Sequence, residues 1–258
     1  MKSSTFALAA AAGMHFIGPS YAAVQLIGPA IYTIDFADFD GAGFSPTPTS
    51  GQLDSNMWAV SGLSDGPLDF GESGTSGDFA RGTSPGGVTT GGVYAFDVDN
   101  VDASVNRALG IQPIGSDFTP GAFTLRLQNS SGAMLTRLEV AYDVLVLNNA
   151  DRSNSFNFTH SPESTSGFMA VPSLDFTSPE GGDLTPSWTR AGRSISLTGL
   201  EIADQDFYYL QWTGDDVGGS GSRDEFALDN ITISTVPEPS RPLLVALGLL
   251  GILARRRR

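Results

Sequence analysis

Side chains alternate with period two wherever the middle of this sequence turns apolar. Phe123, Leu125 and Leu127 alternate with Thr124, Arg126 and Gln128. Leu138, Val140, Tyr142, Val144 and Val146 share one parity between residues 138 and 147. Phe156 and Phe158 alternate with Ser155, Asn157 and Thr159, and Ile195 and Leu197 with Ser194, Ser196 and Thr198. An extended chain points successive residues to opposite faces, so these segments are strands with one buried and one polar side. Further short β-branched and aromatic runs predict strands at 30–36, 57–61, 92–98, 107–113, 168–176, 206–212 and 225–234. Between 31 and 234 no stretch carries a capped 3.6-residue period, which excludes helical layers. Short strands at this spacing, separated by Gly, Ser, Asn, Asp and Pro clusters, predict an all-β two-sheet β-sandwich or jelly roll.

Composition supports that scale of fold. With 258 residues and 40% hydrophobic content, one large core is within reach. The absence of cysteine excludes disulfide frameworks, thiolate nucleophiles and cysteine zinc sites. The net charge of −14 is unevenly spread. Lys2 sits at one end and Arg241 with Arg255, Arg256, Arg257 and Arg258 at the other. Residues 23–235 keep eight arginines against 27 acids, a net charge of −19. Such a body has no basic face for phosphates, which argues against nucleic acid as a partner. The sequence divides into an apolar leader (1–22), the acidic β body (23–235) and an apolar tail (236–258).

The leader has the layout of a secretory signal peptide. Lys2 supplies the positive region, and Phe6 to Ile17 is a helical, acid-free apolar stretch. Pro19 ends it, and Ser20-Tyr21-Ala22 offers small residues at the −3 and −1 positions of a cut after Ala22; a cut after Ala23 fits equally. The partners implied are the Sec translocon and signal peptidase. Removing the leader takes His15 with it and leaves His160 as the sole histidine.

The tail runs Val236-Pro237-Glu238-Pro239, then a short hydrophobic helix from Leu243 to Ala254, then four arginines. Twelve apolar residues are short against the roughly 20 of a free-standing span. Terminal arginines stay on the cytoplasmic side, placing the acidic body outside the cytoplasm. This order of motif, apolar stretch and arginine cluster resembles the PEP-CTERM sorting signal of bacteria that make exopolysaccharide. The resemblance covers about the last 23 residues. It implies transient inner-membrane anchoring, cutting near Pro237-Glu238-Pro239 by a membrane-embedded exosortase, and delivery to the cell surface or extracellular matrix. Arg241 and Pro242, between motif and apolar stretch, depart from the pattern.

The end of the body is similar to jelly-roll domains of the carbohydrate-binding type. Its residues are Tyr208 to Ile233, with Gly218 to Ser222 and Arg223-Asp224-Glu225 between two strands, together with Ile34-Asp35-Phe36 near the start. That resemblance implies first and last strands side by side, with acids there holding a structural calcium. Asp224, Asp229 and Asp35 are the candidate ligands, with Asp38 and Asp40 as further carboxylates; Arg223 is the competing local partner. Apolar parity changes inside the last strand, from Phe226 and Leu228 to Ile231 and Ile233. Either a β-bulge sits at Asp229-Asn230 or Asp229 shares the buried face with the isoleucines.

Catalytic chemistry finds little support. His160 stands among polar residues with no Gly-x-Ser-x-Gly elbow. Glu139 and Asp143 share a strand face but lie roughly 13 Å apart, too far for a glycosidase pair. Aromatic side chains near loops, Trp58 and Trp188, are the candidates for stacking on sugar rings, whereas the alternation with Tyr208 and Leu210 places Trp212 in the core. Residues 62–91, rich in Gly, Ser, Thr, Asp and Pro, read as a long surface loop or a ligand-binding loop. The favoured reading is a non-enzymatic exported surface or matrix protein that binds polysaccharide. The alternative is a secreted glycan-active hydrolase with two carboxylates facing across a groove.

Overall fold

The computed structural model describes residues 23–98 and 106–235. The leader, the cut after Ala22, and the tail with Val236 to Pro239 and Arg255 to Arg258 lie outside the described residues. Among the described residues no helix is long and apolar enough to cross a membrane. Among the described residues, fifteen strands and two single 3-10 turns make up the regular structure. The strands are β1 (Val24–Leu26), β2 (Ile31–Ile34), β3 (Phe39–Ser45), β4 (Gly51–Asp54), β5 (Trp58–Ser61), β6 (Thr83–Ser84), β7 (Gly92–Asp97) and β8 (Arg107–Gln112). They continue with β9 (Gly121–Asn129), β10 (Leu135–Leu147), β11 (Arg152–Ser161), β12 (Met169–Ala170), β13 (Trp188–Ile202), β14 (Phe207–Gly219) and β15 (Glu225–Thr235).

Two sheets form the sandwich. One has the order β1-β9-β14-β11-β12, with β5 also on β9; the other has the order β13-β10-β15-β8-β7-β6, with β2 also on β15. The long strands from β9 to β15 alternate between the sheets, so each connection crosses the core. Strand β2 pairs antiparallel with the last strand, Ile34 opposite Ile231, as the jelly-roll resemblance implied. A small parallel ribbon of β3 and β4 stands apart from the two sheets.

The even parity of β10 and the apolar parities of β11 and β14 meet between the sheets. Trp212 is wholly buried, with ring centroids 5.4 Å from Tyr142, 5.6 Å from Phe158 and 6.1 Å from Trp58. Tyr142 comes from one sheet and the other three rings from its partner, so this aromatic cluster ties the layers together. Each such side chain contributes about 1.5–3 kcal/mol through burial. With no cysteine, cohesion of this kind holds the body.

Two expectations need correction. Residues 168–176 form only the two-residue β12 and a 3-10 turn at Pro172–Leu174, because Pro172 removes a ladder donor. The 62–91 segment is not a detached surface loop: Leu63, Leu68 and Phe79 reach the core and act as its anchors. Of the two alternatives open for the parity change in β15, the bulge is the one that forms. Between the pairs Ala141–Thr232 and Asp143–Asp229, two residues of β15, Asn230 and Ile231, stand opposite one of β10, Tyr142. Asn230 takes the extra place at φ 50°, a left-handed conformation that asparagine tolerates. The bulge keeps Ile231 and Ile233 in the core and turns Asp229 to the outer face beside Ala227.

Candidate functional site

The outer face of the β13-β10-β15 sheet is built in two halves. At one end Leu145, Leu147, Ala227, Phe96, Tyr94 and Trp188 form a second buried cluster. The 85–88 loop closes over it: Trp188 Nε1 donates to Pro85 O at 2.9 Å. Glu225 accepts from the N–H groups of Gly87 and Val88 at 2.9 and 2.6 Å, and from Asn149 Nδ2 at 3.1 Å. Gly86 seats the loop, since a Cβ there would lie 2.6 Å from Leu147 and 3.3 Å from the Trp188 ring. Burial pushes the Glu225 carboxyl up against the pull of those donors.

At the other end the same face is open. Register aligns Ser196, Glu139, Ser234 and Ile31 in one row, and Ser194, Ala141, Thr232 and Thr33 in the next. Small side chains leave a shallow groove of about 430 Å³ across the four strands β13, β10, β15 and β2. Its walls carry hydroxyls, the Glu139 carboxylate and the exposed side chain of Ile31. Glu139 Oε1 is held by Arg137 Nε at 2.6 Å. Hydroxyl-bearing residues recur roughly 6.8 Å along β13 and along β15, which stand about 9.6 Å apart with β10 between them.

Between the halves lies a carboxylate pair. Asp143 and Asp229 are register partners, and Asn230 Nδ2 donates to both, at 2.9 Å to Asp143 and 3.2 Å to Asp229. Asp229 also accepts from Asn106 Nδ2 at 2.8 Å and from Asn230 N–H at 2.7 Å. Arg190 stands 3.5 Å from Asp143. Burial drives the Asp229 carboxyl up to about 6, the hydrogen bonds only partly opposing it. Two facing carboxylates are what a glycosidase needs. Asp229, however, is 0% exposed and cannot meet a substrate.

The predicted site residues scatter. Trp58 is 1% and Trp188 4% exposed, so neither offers a ring face to a sugar. Both sit near loops in sequence, but the 85–88 loop and β5 fold them into the two clusters. Asp35 is exposed, and its carboxylate accepts the N–H of Ala37 at 3.3 Å. Asp224 is wholly buried and accepts from the N–H groups of Asn149 and Ala150, each at 3.0 Å. Five residues of strand separate it from Asp229, roughly 16 Å. Among the described residues no three acidic or histidine side chains converge on a cation position. Two backbone N–H groups hold one carboxylate oxygen of Asp224, and Asn106 and Asn230 hold Asp229. Arg223 turns to Asp216, with Nε and Nη2 at 2.7 and 2.6 Å, rather than to Asp224.

The hydroxyl groove escaped the sequence reading. Its parity was legible, since Ser194 and Ser196 alternate with Ile195 and Leu197, but polar parity alone reads as a solvated face. Which strands lie side by side decides whether the hydroxyls form rows. On the opposite sheet, Arg126 fills the equivalent space: its guanidinium lies 4.4 Å from the Phe70 ring centroid and 5.0 Å from that of Phe207.

No family model matches the sequence, and no curated protein is significantly similar to it. Several solved structures are loosely similar to it. A carbohydrate-binding module specific for non-crystalline cellulose is 13% identical, covering 57% of this chain and 82% of its own, at a TM-score of 0.38. A cleaved adhesin domain of Lys-gingipain from Porphyromonas gingivalis is 11% identical, covering 79% and 90%, at 0.33. The N-terminal cellulose-binding domain of a Cellulomonas fimi β-1,4-glucanase is 13% identical, covering 71% and 91%, at 0.31. Superpositions this loose assign no site residue of this chain.

Proposed function

We propose that this chain is an exported, exosortase-processed bacterial surface or extracellular-matrix protein, non-enzymatic, that binds polysaccharide along the open half of the β13-β10-β15-β2 face. The observation that carries the binding reading is the groove itself: registered rows of serine and threonine hydroxyls with one carboxylate and one apolar edge. Sugar hydroxyls pair with hydroxyls and carboxylates, and ring C–H faces lie against an aliphatic side chain such as Ile31. An open groove across four strands suits an extended polymer. The non-enzymatic reading rests on the sealing of Asp229, which leaves the one facing carboxylate pair of this sheet out of reach. Export rests on the leader and tail, through the Sec translocon, signal peptidase and exosortase.

The binding test is retardation of the full chain in native gels containing the producing bacterium's exopolysaccharide. Ser194→Trp, at an exposed position of the lining, fills the groove from the solvent side and is expected to abolish retardation while leaving the melting temperature unchanged. Equal retardation of both proteins would refute the site. For export, replacing Pro237, Glu238 and Pro239 by alanine is expected to trap uncut protein in the inner-membrane fraction. Normal release of that variant would remove the sorting reading.

A further inference from the structure

A second groove, of about 800 Å³, lies away from the hydroxyl face, between β3, β8 and the 75–83 segment. Two arginines line it, each fixed from behind. Arg81 donates from Nε to Gly91 O at 2.8 Å and from Nη2 to Asp78. Arg107 donates from Nη1 to Phe39 O at 3.3 Å, and its Nε lies 3.5 Å from Asp97. Neither Arg81 Nη1 nor Arg107 Nη2 meets an acceptor among the described residues, and the two side chains keep 28% and 30% exposure. The floor is backbone on backbone: Gly82 N–H donates to Gly41 O at 3.1 Å, and a Cβ on Gly41 would lie 2.2 Å from Gly82 O. Gln52, Thr75, Thr83 and Asp40 supply amide, hydroxyl and carboxylate groups around it. Asp40 Oδ1 is taken by the Ala42 N–H at 3.1 Å, which leaves its other oxygen for a hydroxyl donor.

We propose that this groove binds a carboxylated sugar, a uronate residue of an acidic polysaccharide, with Arg81 and Arg107 on the carboxylate and Gln52, Thr75, Thr83 and Asp40 on the hydroxyls. Guanidinium groups held in a fixed plane recognise carboxylates in fork geometry. Arg152 and Arg223 converge on a single carboxylate, Asp216, whereas Arg81 and Arg107 each pair with a separate carboxylate, Asp78 and Asp97, along one edge of the guanidinium. A polymer of negative charge is repelled by a body of net charge −19 unless it docks where guanidinium edges face solvent. A bare anion would leave the hydroxyl and amide partners unused. The site is separate from the hydroxyl groove and stands or falls independently of it.

Calorimetric titration of the full chain tests this, with oligogalacturonate as ligand and neutral galacto-oligosaccharide, acetate and inorganic phosphate as controls. Oligogalacturonate is expected to bind, and to weaken at least tenfold between 50 and 500 mM salt, on the order expected for guanidinium–carboxylate contacts. Arg107→Gln is expected to weaken it at least tenfold. Thr75→Glu places a like charge at the exposed rim without touching either arginine, and is expected to have the same effect on a protein of unchanged melting temperature. Ser194→Trp is expected to leave this binding intact. No binding of oligogalacturonate, equal binding of the neutral sugar, or equal affinity for acetate or phosphate would overturn the proposal. Loss in Ser194→Trp with retention in Thr75→Glu would overturn it while supporting the hydroxyl groove.

Discussion

The two ends of the β13-β10-β15 outer face are made from the same strands, yet one is a sealed core and the other an open groove. On β10 the outward residues change from Glu139 and Ala141 to Leu145 and Leu147; on β15 they change from Ser234 and Thr232 to Ala227 and Glu225. Only at the apolar end does a loop arrive, and Glu225 holds it there through the Gly87 and Val88 N–H groups. The bulge at Asn230 marks the boundary. Without it, the isoleucines and Ala227 would fall on one face, and one of them would be misplaced. A sheet face thus becomes core or ligand surface according to whether its side chains recruit a cover.

The largest effect lies in the sealed half. Trp188→Ala is expected to destabilise the protein by about 3–5 kcal/mol, through the lost ring and the cavity beneath the 85–88 loop. The same change strands the Pro85 carbonyl. Urea unfolding read by circular dichroism measures it. A loss below about 1 kcal/mol would mean that the loop is not a genuine seal.

Period two made the strands and their buried parities legible, and Trp212, Phe158 and Tyr142 fell where alternation put them. The bulge was legible as one of two options, because parity breaks at Asp229. What could not be read was every feature that depends on a neighbour distant in sequence. Trp188 looked accessible because its cover, Pro85 to Val88, is about 100 residues away. The surroundings of Asp224 and Asp229 could not be read either, because their donors, Asn149, Ala150 and Asn106, belong to other strands and loops. The short strands β1, β3, β4 and β6 carry glycine or too few residues to show a period.

The boundary gives an intermediate effect. Asp229 is pushed up to about 6 in the folded protein, above its value of about 3.9 in an unfolded chain. A raised carboxyl binds its proton more tightly when folded, so stability is greater below pH 4 and declines as pH rises to about 6. The decline expected from this one group is about 2–3 kcal/mol, complete above pH 7. Asp224 and Glu225, also raised by burial, act in the same sense. His160, whose value burial lowers, acts in the opposite sense below pH 6.5. The comparison that isolates Asp229 is therefore the difference between wild type and Asp229→Asn, melted across pH 4 to 7.5. The variant should lose that part of the slope; identical slopes would show that Asp229 titrates normally and that the boundary is wetter than its burial implies.

The smallest effect on stability belongs to the open half. Ser194, Ser196, Thr232 and Ser234 support no buried neighbour through their hydroxyls, so single changes to alanine, or Thr232→Val, should each shift stability by at most about 0.5 kcal/mol. If the rows form a polysaccharide surface, the quadruple variant should nonetheless lose most of its retardation in exopolysaccharide gels, since each hydroxyl contributes about 0.5–1.5 kcal/mol as a hydrogen-bonding group. A large destabilisation would instead class these hydroxyls with the structural donors of the sealed half. Unchanged stability with unchanged retardation would leave the face bare of function. The two halves are distinguished only if stability fails in one and binding fails in the other.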